Sequence, residues 1–368
     1  MTANPFLGVT FHWLGGLAAG SFYVPYRGVR KWAWEVYWLV GGFFSWIIAP
    51  WSFALALIPG PVAILRQADA RPLLLAYFFG ALWGLGGLTF GLTMRYLGIG
   101  LGMALTLGYC AAVGTLTPPI LEHKLGELLT TGSGVVTLIG VGVCLAGIAM
   151  TGLAGMSKER ELSEEQKKAV VKEFHFTKGF LISTFSGVLS ACFAIGLFYG
   201  KPIMEATSKV LQENRCSDLW SNLPVLIVVL LGGFTTNFIW CVALNIKNRT
   251  GCQYYRSTIH PQTAHDAPER VPLWSNYLFS ALAGVTWYLQ FFFYSMGQMR
   301  MGRYEFSSWT LHMASIILFS SLWGIALKEW KGSGLGTRRK LTLGLALLVL
   351  STIIVGYGNY LGAQPAAQ

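Results

Sequence analysis

Ten apolar blocks, each about long enough to cross a bilayer, run through this chain. They lie at roughly 6–26, 34–59, 72–96, 98–120, 134–156, 178–202, 223–247, 273–299, 306–328 and 341–361. A hydrocarbon core about 30 Å thick is spanned by roughly 20 helical residues. Lipid offers the backbone no hydrogen-bond partner, so only helices and closed barrels cross it. These blocks are continuous rather than alternating, which excludes barrel strands. The expected fold is an all-α polytopic membrane protein with ten transmembrane helices. Pro59, Pro72, Pro202 and Pro272 fall at block ends, where a helix tolerates them.

Composition agrees. Only 12% of the residues are charged, against about 25% in soluble domains. The 44 glycines suit close helix packing, and the 14 tryptophans suit anchoring at headgroups. The net charge of +11 sits in short loops between apolar blocks, so it points to a lipid bilayer and not to nucleic acid as the partner. Cys110, Cys144, Cys192, Cys216, Cys241 and Cys252 are scattered, with neither metal-ligand nor disulfide spacing. The first residues carry no Lys or Arg, so block one is expected to be a retained helix rather than a cleaved signal. No P-loop, H-E-x-x-H or nucleophile elbow is present. The expectation is a non-enzyme without cofactor or metal, driven by a gradient.

The polar stretch Ser157 to Lys178 divides the chain into five helices plus five. The expected division is a first repeat at 1–156, a linker at 157–177 and a second repeat at 178–368. Alternate loops, starting with the one after the first helix, hold 19 Lys and Arg; the termini and remaining loops hold 8. The richer side is cytoplasmic by the positive-inside rule, which puts both termini outside. Gly80, Trp83 and Leu85 recur as Gly284, Trp287 and Leu289, and Met94-Arg95 recurs as Met299-Arg300. An odd number of helices per repeat turns the second half over, giving an inverted repeat with a site near the midplane.

Polar residues deep in a membrane helix are functional candidates. In the eighth block Trp287, Gln290 and Tyr294 share a helical face within an aromatic run. Such a face suits a sugar, with rings for its C–H surface and a few polar groups for its hydroxyls; it equally suits packing around one interhelical hydrogen bond. In the ninth, Glu305, Trp309 and His312 stand at i, i+4 and i+7. This pair of titratable groups could pass a proton inward, or Glu305 could pair with Arg303 or Arg300 at the headgroups. The eighth and ninth helices are expected to be antiparallel neighbours with a pocket between them. His12 and Tyr23 lie near one face of the first helix and are candidates to line it. Glu35 is expected to pair with a neighbouring base, with proton coupling as its alternative role.

Eight segments carry a resemblance: Trp32 to Glu35 (WAWE), Ser45 to Trp51 (SWIIAPW), Phe79 to Gly86 (FGALWGLG), Gly91 to Gly98 (GLTMRYLG), Val113 to Ile120 (VGTLTPPI), Trp287 to Tyr294 (WYLQFFFY), Ser308 to Met313 (SWTLHM) and Leu327 to Trp330 (LKEW). The chain resembles the L-rhamnose/proton symporter family, within the drug/metabolite transporter superfamily. The resemblance implies ten helices, an inverted repeat, and proton-driven uptake of L-rhamnose through a bacterial inner membrane. Where the family carries Asn-Ile-Asn-Tyr, this chain has Gly87-Leu88-Thr89-Phe90, which offers a sugar fewer partners. Another deoxysugar, a polyol or a small metabolite is the alternative cargo. A membrane sugar sensor is the alternative class, although the loops are short for an output module.

Overall fold

The computed structural model describes residues 3–161, 175–259 and 269–364. Most of the expected linker, residues 162–174, lies outside them. The long helices are α1 (Pro5–Ser21), α2 (Trp34–Leu57), α3 (Ala70–Leu121), α4 (Gly132–Arg160), α5 (Phe176–Tyr199), α6 (Lys201–Glu213), α7 (Leu223–Asn248), α8 (Leu273–Gln298), α9 (Ser308–Ala326) and α10 (Leu335–Ala363). A two-residue antiparallel ladder, β1 (Thr258–Ile259) with β2 (Glu269–Arg270), precedes α8.

Proline sets two local features that shape the interior. Pro25 has no N–H for the Ser21 carbonyl four residues back, and α1 ends at Ser21 before a short helical turn, Tyr23–Tyr26. Pro50 likewise leaves the Trp46 carbonyl without its donor. The ladder of α2 widens there into a π-helical turn, Phe44–Ile48. That turn holds the Trp46 ring inward, 2% exposed.

The 52 residues of α3 cannot run straight. Ser186 Oγ of α5 donates to the Gly86 carbonyl at 2.8 Å, while a methyl on adjacent Gly187 would stand 2.6 Å from the Thr106 carbonyl. Twenty residues of straight helix would separate those carbonyls by about 30 Å. The chain therefore turns back between them, and Tyr96 and Leu97, from that stretch, pack on Gly179 at the start of α5. The limbs Ala70–Thr93 and Leu101–Leu121 flank α5 as two crossings.

Among the described residues, eight segments are long and apolar enough to span a membrane: α2, the two limbs of α3, α4, α5, α10, and Asp218–Asn248 and Gly302–Ala326, which contain α7 and α9. Besides α6, with 13 residues, two of these helices fall outside that set. One is α1, with 17 residues; the other is α8, whose apolar residues are interspersed with Ser, Asn, Thr, Tyr and Gln. These two pack on each other. α8 and α9 touch, through Tyr294 against Trp309 and His312, and small residues let α1 pack against both. A methyl on Gly16 would stand 2.2 Å from Ser315 Cβ of α9, and one on Gly15 2.9 Å from the Gln290 carbonyl of α8.

Candidate functional site

Two cavities lie toward opposite ends of α1. The larger, about 440 Å³, lies where α1 gives way to Tyr23, and Trp38, Trp46, Trp83 and Trp287 wall it. Trp46 is the hub: its ring centroid is 6.4 Å from that of Trp38, 6.3 Å from Trp83 and 5.2 Å from Trp287. Polar groups are few. Asn237 of α7 accepts from Trp38 Nε1 at 3.1 Å and donates to the Gly233 carbonyl at 2.9 Å. One amide N–H and one lone pair of Asn237 remain for a ligand. Ser190 and Ser320 also face the cavity, and Arg27 and Glu329, 3.4 Å apart, stand at its rim. An aromatic cage with a few convergent polar groups is what a small, partly apolar ligand requires.

The smaller cavity, about 160 Å³, lies toward the Pro5 end of α1. Tyr294 and Trp309 line it, and charged groups ring it. Lys201 bridges Glu305 at 3.2 Å and Glu122 at 3.6 Å, and Arg303 pairs with Glu127. Burial opposes the Lys201 charge, but Glu305 and then Glu122 outweigh it and hold the ammonium above the ordinary lysine value. Burial also pushes Glu122 upward, yet the hydrogen bond from Lys124 and the Lys201 charge hold it below the usual carboxylate range. Between the cavities, Phe193 is fully buried and stacks on Phe291 at 4.5 Å, with Trp83 at 5.1 Å on one side and Trp309 at 5.7 Å on the other.

Apart from Glu35, the residues singled out from sequence are thus distributed over three places. Trp287 and Tyr23 line the larger cavity, and Tyr294, Trp309 and Glu305 line the smaller. Gln290, His12 and His312 line neither; they are buried between α1, α8 and α9. Two local expectations are corrected. Glu305 does not share a helical face with His312, because α9 begins at Ser308 and Glu305 sits in a 3₁₀ turn, Gly302–Ser307, broken at Tyr304. Its partner is Lys201; Arg303 pairs with Glu127 and Arg300 with Asp218. Glu35 accepts from Asn248 at 3.0 Å and Thr250 at 2.8 Å rather than from a base.

Trp38, Trp46, Asn237 and Phe193 were not singled out from sequence. Asn237 carried a usable signal as an Asn deep within an apolar helix. Trp83 carried another, as the counterpart of Trp287. Phe193 carried none, since its importance comes only from which rings surround it.

A helical bundle with several membrane-long apolar segments, two end cavities and one aromatic layer between them has the build of a multi-pass membrane carrier, which offers a central site to each side in turn. A sequence model of the L-rhamnose-proton symport protein (RhaT) family matches residues 1–360, and the chain belongs to that family. It is 36% identical over 355 residues to the L-rhamnose-proton symporter of Cronobacter sakazakii, covering 96% of this chain and 97% of that one. The L-rhamnose-proton symporters of Yersinia pestis and Yersinia pseudotuberculosis are each 35% identical over 354 residues, with the same coverage.

Proposed function

We propose that this chain carries L-rhamnose together with a proton into a bacterial cytoplasm, as a ten-crossing inverted repeat of the drug/metabolite transporter superfamily in the inner membrane. The observation that carries the reading is the four-tryptophan cavity with Asn237 in its wall. L-Rhamnose bears a methyl in place of one hydroxyl, so an apolar end and an apolar ring face can lie on indole while its hydroxyls meet Asn237, Ser190 and Ser320. Gly87 and Phe90, also in this wall, add no hydrogen bond. That favours a deoxysugar over a fully hydroxylated one. Glu305, at the rim of the smaller cavity, is the entry carboxylate for the proton and His312 the deeper acceptor; Glu35, held by neutral partners, is the reserve candidate.

Packing supports the repeat. Counting α1 and α8 with the eight apolar segments makes ten. The first helix of one half, α1, lies against α8 and α9, the third and fourth of the other; α5 lies likewise against the two limbs of α3. Gly80 meets α7 and Gly284 meets α2, each with room for a methyl only 2.1 Å from a carbonyl oxygen, and Trp83 and Trp287 one turn on both face the larger cavity. The rims correspond too. A cation after the first helix of each half, Arg27 or Lys201, meets a carboxylate after the fourth helix of the other half, Glu329 or Glu122. These pairs are substantially exposed, so each biases its mouth by at most about 1 kcal/mol and does not lock it.

Two measurements follow. Proteoliposomes given an inward proton gradient of one pH unit should accumulate labelled L-rhamnose about tenfold per proton coupled, since that gradient is worth about 1.4 kcal/mol. Uptake that ignores the gradient, or preference for another sugar, would overturn the coupling or the cargo. The 19-to-8 charge bias puts the termini outside. A reporter active only outside the cytoplasm should therefore work when fused at Gln368, and a silent fusion would invert the bundle and exchange the two mouths.

A further inference from the structure

Three side chains from three helices meet in the layer between the cavities. His12 of α1 and His312 of α9 both lie against the Tyr294 ring of α8, with centroids 5.4 and 5.1 Å from it. His12 is 0% exposed and His312 1%. Among the described residues, neither His12 nitrogen has a hydrogen-bond partner, and His312 Nδ1 and Gln290 Nε2 have none either. Buried polar atoms are nearly always paired, and each orphan costs about 1–3 kcal/mol. A phenylalanine or leucine would fill the same space without that cost, so packing alone does not account for two histidines here. The space is also fitted to an imidazole. A methyl on Gly297 would stand 2.7 Å from His12 Cε1 and 2.8 Å from its Nε2, so the ring lies directly on bare backbone.

We infer that His12, Tyr294 and His312 form one proton-binding site, entered from the smaller cavity past Tyr294. This rests on the reading of the chain as a proton-coupled carrier. A hydronium ion in that cavity gives its proton to an imidazole lone pair: one O–H bond breaks, one N–H bond forms, and a neutral water is left behind. Two imidazolium ions in one desolvated pocket would repel, so the pair holds a single proton. The titratable and charged groups around it are Glu305, Lys201, Glu122, Lys124 and the Arg303–Glu127 pair at the cavity, Cys110 on the second limb of α3, beside Trp309, and Cys144 of α4, which reaches the Thr310 carbonyl. His12 belongs to one half of the chain, and Tyr294 and His312 to the other, so a movement between halves alters the site. Trp287 lies two turns from Tyr294 on α8, about 10 Å away. One rigid helix thus joins the proton site to the sugar cavity.

The test uses the full-length protein with its six histidines labelled for imidazole NMR, in detergent and without sugar. His12 and His312 signals should move with a common midpoint, and His12→Gln should shift the midpoint of His312. In proteoliposomes His12→Gln and His312→Gln should each lose at least tenfold in gradient-driven accumulation, while L-rhamnose counterflow stays within about twofold. Counterflow shows that a variant is folded, and if one variant is not recovered the other carries the same test. Independent titration of the two imidazoles, or full accumulation in either variant, overturns the shared site. The NMR arm contains no sugar, so a wild-type protein that fails to move L-rhamnose would sink the cargo reading without touching this result.

Discussion

Trp287→Ala should weaken L-rhamnose binding about tenfold to hundredfold while the bundle still assembles. Trp287 stacks on Phe22 at 4.7 Å and lies 5.1 Å from Trp38 and 5.2 Å from Trp46, so its ring is held in place before any ligand arrives. A sugar face covering about 60–100 Å² of indole would lose roughly 1.5–2.5 kcal/mol at 25 cal/mol per Å². That is roughly one to two factors of ten in Kd. Gln290→Ala is the informative contrast. From sequence, Gln290 belongs with Trp287 on one pocket-lining face; in the folded chain it lines neither cavity, so its replacement should leave Kd within about threefold. Calorimetry on purified, monodisperse variants measures both. An unaltered Kd in Trp287→Ala, or an equal loss in Gln290→Ala, would move the sugar into the layer around His12.

The largest stability losses should come from the two repeated glycines. A methyl on Gly80 would stand 2.1 Å from the Val229 carbonyl oxygen, and one on Gly284 2.1 Å from the Gly41 carbonyl oxygen. Both obstacles are backbone, which cannot rotate away as a side chain would. Overpacking of a well-fitted contact costs about 1–3 kcal/mol, and these clashes are severe enough to reach the top of that range. Gly80→Ala and Gly284→Ala should each lower the unfolding temperature in detergent and reduce the monodisperse yield. The two should behave alike, because each glycine lets its helix meet another helix's backbone at the same distance, Gly80 against α7 and Gly284 against α2. If either variant melts with the wild type, that crossing is looser than described and the structural equivalence of the two glycines fails.

Much of the architecture was legible in the sequence because lipid imposes a local rule. A segment must be continuously apolar to cross, and that can be read residue by residue. The blocks at 72–96 and 98–120 anticipated the two limbs of α3, even though helical backbone continues across the turn. Gly80 and Trp83 with Gly284 and Trp287 were legible for a related reason. A close crossing and an adjacent cavity wall make demands that sequence can show twice.

The site was less legible. The spacing of Glu305, Trp309 and His312 assumed one unbroken helix, but Gly302 takes a positive φ of 70° and a 3₁₀ turn intervenes, so Glu305 leaves the face. Its true partner, Lys201, lies 104 residues away in sequence, where no periodicity can reach it. Trp287 and Gln290 are three residues apart on α8 and yet serve different surroundings: Trp287 lines the larger cavity, whereas α1 packs on α8 at Gln290. By itself, then, the sequence determined the all-helical membrane class, the places where apolar segments begin and end, and the family, since these depend on local composition and ordered motifs. Only the tertiary structure decided which rings share a cavity, which charges meet at each rim, and that His12 and His312 lie against the same tyrosine, because those depend on how helices distant in sequence approach one another.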